Sequence, residues 1–391
     1  MSETKYLKFK SVFSFIRNGV SIKQGQIDGG YPITRIETIA NGIVDRNKMG
    51  YAGINDLEKY RDYILHTGDI LMSHINSEKH LGKSAVCELE ENEKIIHGMN
   101  LLCLRSNSKL LNYKFGRYFF LSDQFKIQIP KIIKKSVNQA SFNVTSLKEL
   151  EMTLPPLEVQ KRIAQNLDTV SELLALRKKQ FDELDGLIQS VFYDMFGDPV
   201  TNDMGWEIQK FESIGKLTSG GTPSRSQAQY FTGNINWFSA GELNARYLYE
   251  STEKITGQAI QESSAKIFPK GSMLIGMYDT AAFKLGILTQ DSSSNQACAN
   301  LIVNENKINI NWMYDVCQIM KNTYLSNRRG VRQKNLNLGM IKEFTLPVPP
   351  LSLQNQFASI VTKIEEQKSL VKQSIEETQT LFDSLMSQYF N

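Results

Sequence analysis

No stretch of the chain approaches the roughly 20 uninterrupted apolar residues that a membrane-crossing helix requires, so no helical membrane span is expected. Cysteine and histidine are scarce: four of each (Cys87, Cys103, Cys298, Cys317; His66, His74, His80, His97) in 391 residues. No two cysteines have CxxC spacing and no histidines form HExxH, so no metal site is expected, and the thiols read as reduced and structural. The start, Met1-Ser2-Glu3-Thr4-Lys5, lacks the apolar core and small-residue cleavage site of a secretion signal. The expected compartment is the cytoplasm. The phosphate-cradling pattern GxxxxGK[ST] is also missing, which removes the simplest ground for expecting nucleotide hydrolysis.

What is present is a soluble composition, with 41% hydrophobic and 22% charged residues. The length exceeds what one hydrophobic core usually supports, so two or more domains are expected. The net charge of +4 is unevenly spread: +6 over residues 1–153, −3 over 154–200, +3 over 201–346 and −2 over 347–391. Alternating basic and acidic blocks fit two domains that meet a polyanion and two connectors that meet something else.

The most informative feature is a self-similarity at an offset of 194 residues, without a gap from Val137 onward. Gln139 falls over Gln333, Asn143 over Asn337, Glu149 over Glu343 and Pro155-Pro156-Leu157 over Pro349-Pro350-Leu351. The register continues through Gln160 and Gln354, Leu176 and Leu370, Leu187 and Leu381, and Phe196 and Phe390. The chain is a tandem of two similar halves.

After each proline pair the pattern turns helical, because proline fixes φ and suits the first turn of a helix. In the first half the apolar positions are Ile163, Leu167, Val170, Leu174, Phe181, Leu184, Ile188, Val191 and Met195, interrupted by Arg177. In the second they are Phe357, Val361, Ile364, Val371, Ile375, Phe382, Leu385 and Tyr389, interrupted by Lys368 and Thr378. This 4,3 spacing predicts two heptad seams, each helix spanning residues 157–196 or 351–390 and about 60 Å long. A helix of that length outruns a domain of about 150 residues. The cheapest partner for the remaining seam is the other helix, paired antiparallel with a pseudo-twofold axis; the alternative is two separate amphipathic helices, each lying on its own domain. The polar positions Arg177, Lys368 and Thr378 would help fix the register. Gly197-Asp198-Pro199 is a helix stop.

The globular segments, residues 1–153 and 201–346, share a plan of short apolar runs between Gly, Asn, Asp and Ser, which predicts mixed α/β domains with irregular sheets. Gly68-Asp69 leading into Ile70–Ser73, and Gly271-Ser272 leading into Met273–Gly276, read as turns into strands. Helical stretches near residues 112–126 and 311–325 each precede a basic segment. The first such segment holds Lys131, Lys134, Lys135, Asn138 and Gln139; the second holds Arg328, Arg329, Arg332, Gln333 and Lys334. Arginine suits bidentate contact with guanine or phosphate, asparagine and glutamine suit adenine, and lysine suits phosphate. An isolated cluster of this kind would read as a solvated loop, but this one recurs at the same place in both halves. A further candidate is Ser219, Gly220, Gly221, Thr222, Ser224 and Arg225, with a looser analogue at Arg17-Asn18-Gly19. Small residues let a backbone approach phosphate, although an ordinary glycine-rich turn fits equally. The aromatics Tyr230, Phe231, Trp237 and Phe238 read first as core.

Two domains, each closed by a basic segment, then Leu154-Pro155-Pro156-Leu157-Glu158-Val159-Gln160 or Val348-Pro349-Pro350-Leu351-Ser352-Leu353-Gln354, then a long heptad helix, resemble the specificity subunit of type I restriction-modification systems. The resemblance spans essentially the whole chain. It implies that each globular domain is a target recognition domain reading half of a split sequence in double-stranded DNA, while the helix pair measures the unread spacer. It further implies that two copies of a modification subunit dock on the helices and methylate adenine using S-adenosylmethionine, and that a restriction subunit driven by ATP with Mg can join. The departure is Val348 in place of Leu154, with Pro347 before it, which bears on how the second helix begins. A chain that methylated adenine itself would need a cofactor glycine motif and an Asn/Asp-Pro-Pro-aromatic element. Neither is present, and the only Pro-Pro pairs open the helices, so no catalytic residue is expected. Two competing readings are a stand-alone methyltransferase with unrecognised motifs and a coiled-coil scaffold that ignores DNA.

Overall fold

The computed structural model describes residues 4–22, 29–39, 42–135, 139–326 and 335–390. The chain divides into two compact units: Met1–Lys178 with Ser374–Asn391, and Lys179–Gln373. Each unit therefore holds one globular domain, the start of the long helix that follows it, and the end of the other long helix.

In the first unit, Gly68 adopts φ +90° and turns the chain into Ile70–Ser73, all four of whose residues are buried. This strand lies inside a four-stranded antiparallel sheet ordered Phe13–Asn18, Leu101–Ser106, Ile70–Ser73, Ser84–Val86. The helices Tyr113–Phe119 and Asp123–Lys126 contribute Phe115, Tyr118, Phe119 and Phe125 to a core shared with Phe9, Leu102 and Leu104. An antiparallel ribbon of Lys5–Lys8 and Glu151–Leu154 closes the domain and leads into the helix.

The second unit repeats this plan. Gly271, at φ +85°, precedes the fully buried strand Met273–Gly276. The sheet order is Gly215–Ser219, Cys298–Val303, Met273–Gly276, Leu285–Leu288, with Tyr247–Leu248 added in parallel at the edge. Glu207–Lys210 pairs with Thr345–Val348 as the closing ribbon. All four cysteines are buried and none is disulfide-bonded; burial pushes the thiols of Cys87 and Cys298 up to about 12. No helix among the described residues is long and apolar enough to cross a membrane.

The two long helices run Leu157–Phe196 and Leu351–Phe390, the 40-residue spans that the heptad spacing predicts. In the first unit Asn166 Nδ2 donates to Tyr389 Oη (3.0 Å) and Arg177 bonds Thr378, so residue numbers rise along one helix as they fall along the other. In the second unit Lys368 Nζ bonds Asp185 (2.7 Å) and Phe357 meets Phe192 edge-on (5.5 Å), again antiparallel. Ile163, Leu167, Val170, Ile188, Phe357, Val361, Ile364 and Val371 are buried. Leu174, Phe181, Leu184, Val191, Ile375, Phe382 and Leu385 are half-buried. Part of this seam faces the domains: Leu167 and Phe390 belong to the first domain's core, and Ile188, Phe192, Phe196 and Phe357 to the second's. The spacing thus records both helix pairing and helix docking on a domain.

Both helices start in the same way. Gln160, 1% exposed, donates to the carbonyls of Leu110 (2.9 Å) and Pro155 (2.8 Å) and accepts from the Asn112 amide (2.9 Å). Gln354, fully buried, does the same with Lys307 (3.0 Å), Pro349 (2.8 Å) and the Asn309 amide (2.9 Å). Asn112 and Asn309 in turn cap the domain helices Tyr113–Phe119 and Ile310–Ile319. The glutamine six residues after the Leu or Val of each motif therefore ties the long helix to its domain. Val348 pairs with Glu207 as Leu154 pairs with Lys5, so the departure at Val348 and Pro347 leaves the start intact.

Candidate nucleic-acid interface

Sheet topology decides which residues share a surface. In the first unit Asn18 pairs with Leu102 and Ser73 with Leu101, so the strands Phe13–Asn18 and Ile70–Ser73 finish at the same end of the sheet. In the second, Ser219 pairs with Ala299 and Gly276 with Cys298, with the same result. The glycine-containing segments that follow Asn18 and Ser219 thus start from the end where the central strand stops.

The residues that follow each basic segment reach that end too. The Phe142 amide donates to the His74 carbonyl (3.1 Å), and the Leu336 amide, at the equivalent repeat position, donates to the Met277 carbonyl (2.8 Å). In the first unit the segment is a small ribbon: Lys134–Lys135 pairs with Ala140–Ser141, which pairs with Ile75–Asn76. Lys131, Lys134, Lys135 and Gln139 are exposed. Lys135 meets Glu78 at 2.9 Å, with both side chains more than half exposed. Such a surface pair is worth little and is readily exchanged for a phosphate. Asn138, Arg328, Arg329, Arg332, Gln333 and Lys334 lie outside the described residues. Asn335, the first described residue after Lys334, accepts with its side chain from the Asp279 amide (3.0 Å).

The glycine segment has a different role from the one its composition suggests. The Gly220 and Gly221 amides donate to Cys298 O (3.1 Å) and Ser294 O (2.9 Å), so neither is open to a phosphate. A Cβ on Gly220 would sit 2.3 Å from Ser294 O, and one on Gly221 2.1 Å from Ser264 O. These glycines are required by the chain's own backbone. Gly19 is the same device, its Cβ position 1.9 Å from Gly98 O, and the Val20 amide donates to His97 O (2.9 Å). Ser219 and Thr222 are half-buried, and Thr222 bonds Gln296. Ser224 and Arg225 are exposed. Arg225 is held by both oxygens of Glu253 (2.5 and 2.8 Å) and lies 4.4 Å from the Phe231 ring and 5.1 Å from Trp237. Tyr230, Trp237 and Phe238 are core residues, as first expected.

Sequence reading missed one duplicated pair. The Ser73 amide donates to Lys83 O (2.9 Å) and the Gly276 amide to Lys284 O (2.8 Å). Lys83 and Lys284 therefore occupy one structural position, beside the end of the central strand in each unit. They escaped because the repeat is out of register upstream of Val137, where loop lengths differ. Lys79, exposed like Lys83, adds a second cation in the same loop, and desolvation, followed by Lys83 and Lys79, lowers the proton affinity of His80. The Lys79-His80-Leu81-Gly82-Lys83 composition was the available signal.

The family described as type I restriction modification DNA specificity domain matches residues 1–185 and again 204–379. A Methanocaldococcus jannaschii protein described as the specificity subunit of type I restriction enzyme MjaX is 29% identical over 374 residues, covering 92% of this chain and 86% of that one. The type I restriction enzyme EcoKI specificity subunit of Escherichia coli is 24% identical over 202 residues, 50% of this chain and 43% of its own length. In fold the chain is similar to the S subunit of a type I restriction-modification system from M. genitalium, with a TM-score of 0.61 at 14% identity, covering 100% of this chain and 96% of that one.

Proposed function

The chain belongs to the family of type I restriction modification DNA specificity domains, which it carries twice, and from that premise we propose that it selects the DNA sequence on which partner subunits act. Each globular domain reads half of a bipartite target, and the long helices set the unread spacer. The observation that supports this most directly is that the basic ribbon of the first unit, the residues just after the basic segment of the second, and the lysine pair Lys83 and Lys284 lie at the same sheet end in their units. Cations gathered at one edge suit a phosphate backbone, whose contacts set position while side chains in the groove read bases.

The chain performs no chemistry itself. Its partners are two modification subunits that bring S-adenosylmethionine and methylate adenine, joined for cleavage by restriction subunits using ATP and Mg, all in the cytoplasm. Their docking surface is the outward side of the long helices. Leu176 and Leu370 are 64% and 57% exposed, and Leu187 and Leu381 46% and 49%, four leucines at two repeated positions that no described residue covers. Apolar side chains left open at matched places suit two copies of one partner.

The test is to co-purify the chain with its modification partner, supply labelled S-adenosylmethionine, and map methylated adenines on random DNA. The expected outcome is two short motifs at fixed separation. Methyl transfer by the isolated chain would mean that it is an enzyme after all, and methylation without sequence preference would mean that the domains do not read.

A further inference from the structure

In the first unit the Arg17 guanidinium lies 4.8 Å from the Phe15 ring centroid and 4.9 Å from that of Tyr63. On the neighbouring strand Arg105 lies 4.6 Å from the same Phe15 ring. The two arginines share an aromatic ring but differ in charge pairing. Arg105 is bidentate to Asp69, a carboxylate 1% exposed, at 2.7 and 2.6 Å. The Arg17 side chain has no ion pair and no hydrogen bond among the described residues, and its Nε is buried without a partner.

An orphaned buried donor on a charged group lowers stability, and the fold shows how it could have been avoided. Arg225 of the second unit is also stacked on two rings, yet Glu253 takes up its Nη1 and Nη2 donors. Arg17 has the aromatic clamp without the carboxylate. It also stands one residue before Asn18, at the sheet end where the basic ribbon docks and Lys83 lies.

We infer that Arg17 is a DNA-reading residue of the first domain, donating its N–H edge to a paired acceptor on the duplex. This rests on the proposed reading of the chain as a sequence-selecting subunit. The rings hold the guanidinium plane in advance, which favours bidentate geometry over a mobile charge. Two acceptors on DNA fit that chemistry: O6 and N7 of guanine, and a pair of phosphate oxygens.

The experiment compares Arg17→Lys and Arg17→Gln with the unchanged chain, each in complex with its modification partner, by mapping methylated adenines on a random library and measuring affinity against salt. With guanine as the acceptor, Arg17→Gln lowers discrimination at one guanine of one half-motif by about ten- to a hundredfold, and the other half-motif is unchanged. With phosphate as the acceptor, both half-motifs persist, affinity falls for all sequences, and the salt slope decreases by about one phosphate. Arg17→Lys retains the charge, so a folding defect confined to Arg17→Gln leaves the lysine variant to separate the two cases. Both variants keeping the original motifs, affinity and salt slope would overturn the inference. Methylation without any motif by the complex of the unchanged chain would instead refute the sequence-selecting reading on which it rests.

Discussion

Arg177 Nη1 donates to the Thr378 hydroxyl and, at 2.5 Å, to the Ser374 carbonyl, joining two of the three polar residues that interrupt the apolar spacing of the long helices. Thr378 is 3% exposed, so the pair sits in the seam. Polar groups in a helical seam cost stability and specify alignment. Thr378→Val should lower unfolding stability by about 1 kcal/mol, since the arginine loses an acceptor. The double variant Arg177→Leu with Thr378→Leu should recover that loss in urea unfolding, yet direct its modification partner to sites over a broader range of spacer lengths. A single variant as stable as the unchanged chain would contradict this account of the pair.

The buried glutamines make a stronger claim. Replacing Gln160 with Ala strands the Leu110 and Pro155 carbonyls and the Asn112 amide, and Gln354→Ala strands their counterparts. Each change should cost on the order of 3 kcal/mol. Gln160→Glu should be no better than alanine, because a carboxylate cannot donate to two carbonyls. Calorimetry on the two alanine variants should show similar losses if the repeat is as symmetrical in energy as in geometry.

Acid should weaken the units unequally, because all four histidines fall in the first. Burial pushes His74 and His97 down to about 4. Between the ordinary value of 6.5 and about 4 the unfolded chain takes up protons that the folded unit refuses, so stability falls as pH drops through that window and is fully present above it. At pH about 5 the loss is roughly 2 kcal/mol for each histidine. Glu149, drawn down to about 2 by Lys10 and Lys8, acts below this window: its contribution is lost only as pH falls beneath the ordinary carboxylate range. Thermal unfolding at pH about 7.5 and 5 should show an early transition in the first unit, and His97→Gln should flatten its pH slope.

The sequence displayed the parts of the molecule that depend on spacing. Heptad periodicity located both helices, and Pro-Pro-Leu with a following glutamine marked their starts, although two of the three hydrogen bonds of Gln160 reach a chain segment some fifty residues away. What stayed hidden depends on side chains distant in sequence. Nothing local says that Glu253 closes Arg225 while Arg17 stands open, or that Gly220 packs on Ser294 rather than facing a ligand. Phe192, Phe196 and Phe390, all nearly fully buried, were left out of the predicted contact set because they serve domain cores at the helix ends. Lys83 and Lys284 align only once strand pairing corrects for unequal loops.

The basic segments give the sharpest test of independent reading. Lys134 and Lys135 are exposed on a ribbon anchored to Ile75–Asn76, and Arg328, Arg329 and Arg332 fall at or near the equivalent place in the second repeat. Each cluster belongs to its own domain, so its removal acts on one half-site. Changing Arg328, Arg329 and Arg332 together to Ser should degrade one half-motif and leave the other intact, and changing Lys131, Lys134 and Lys135 should do the reverse. Affinity should also lose salt dependence by a log-log slope of about 0.9 for every phosphate contact removed. Methylation maps would separate the cases: selective loss of one half-motif follows from two readers on one chain, whereas joint collapse of both, with the fold preserved, would mean that the two domains read DNA as a single surface.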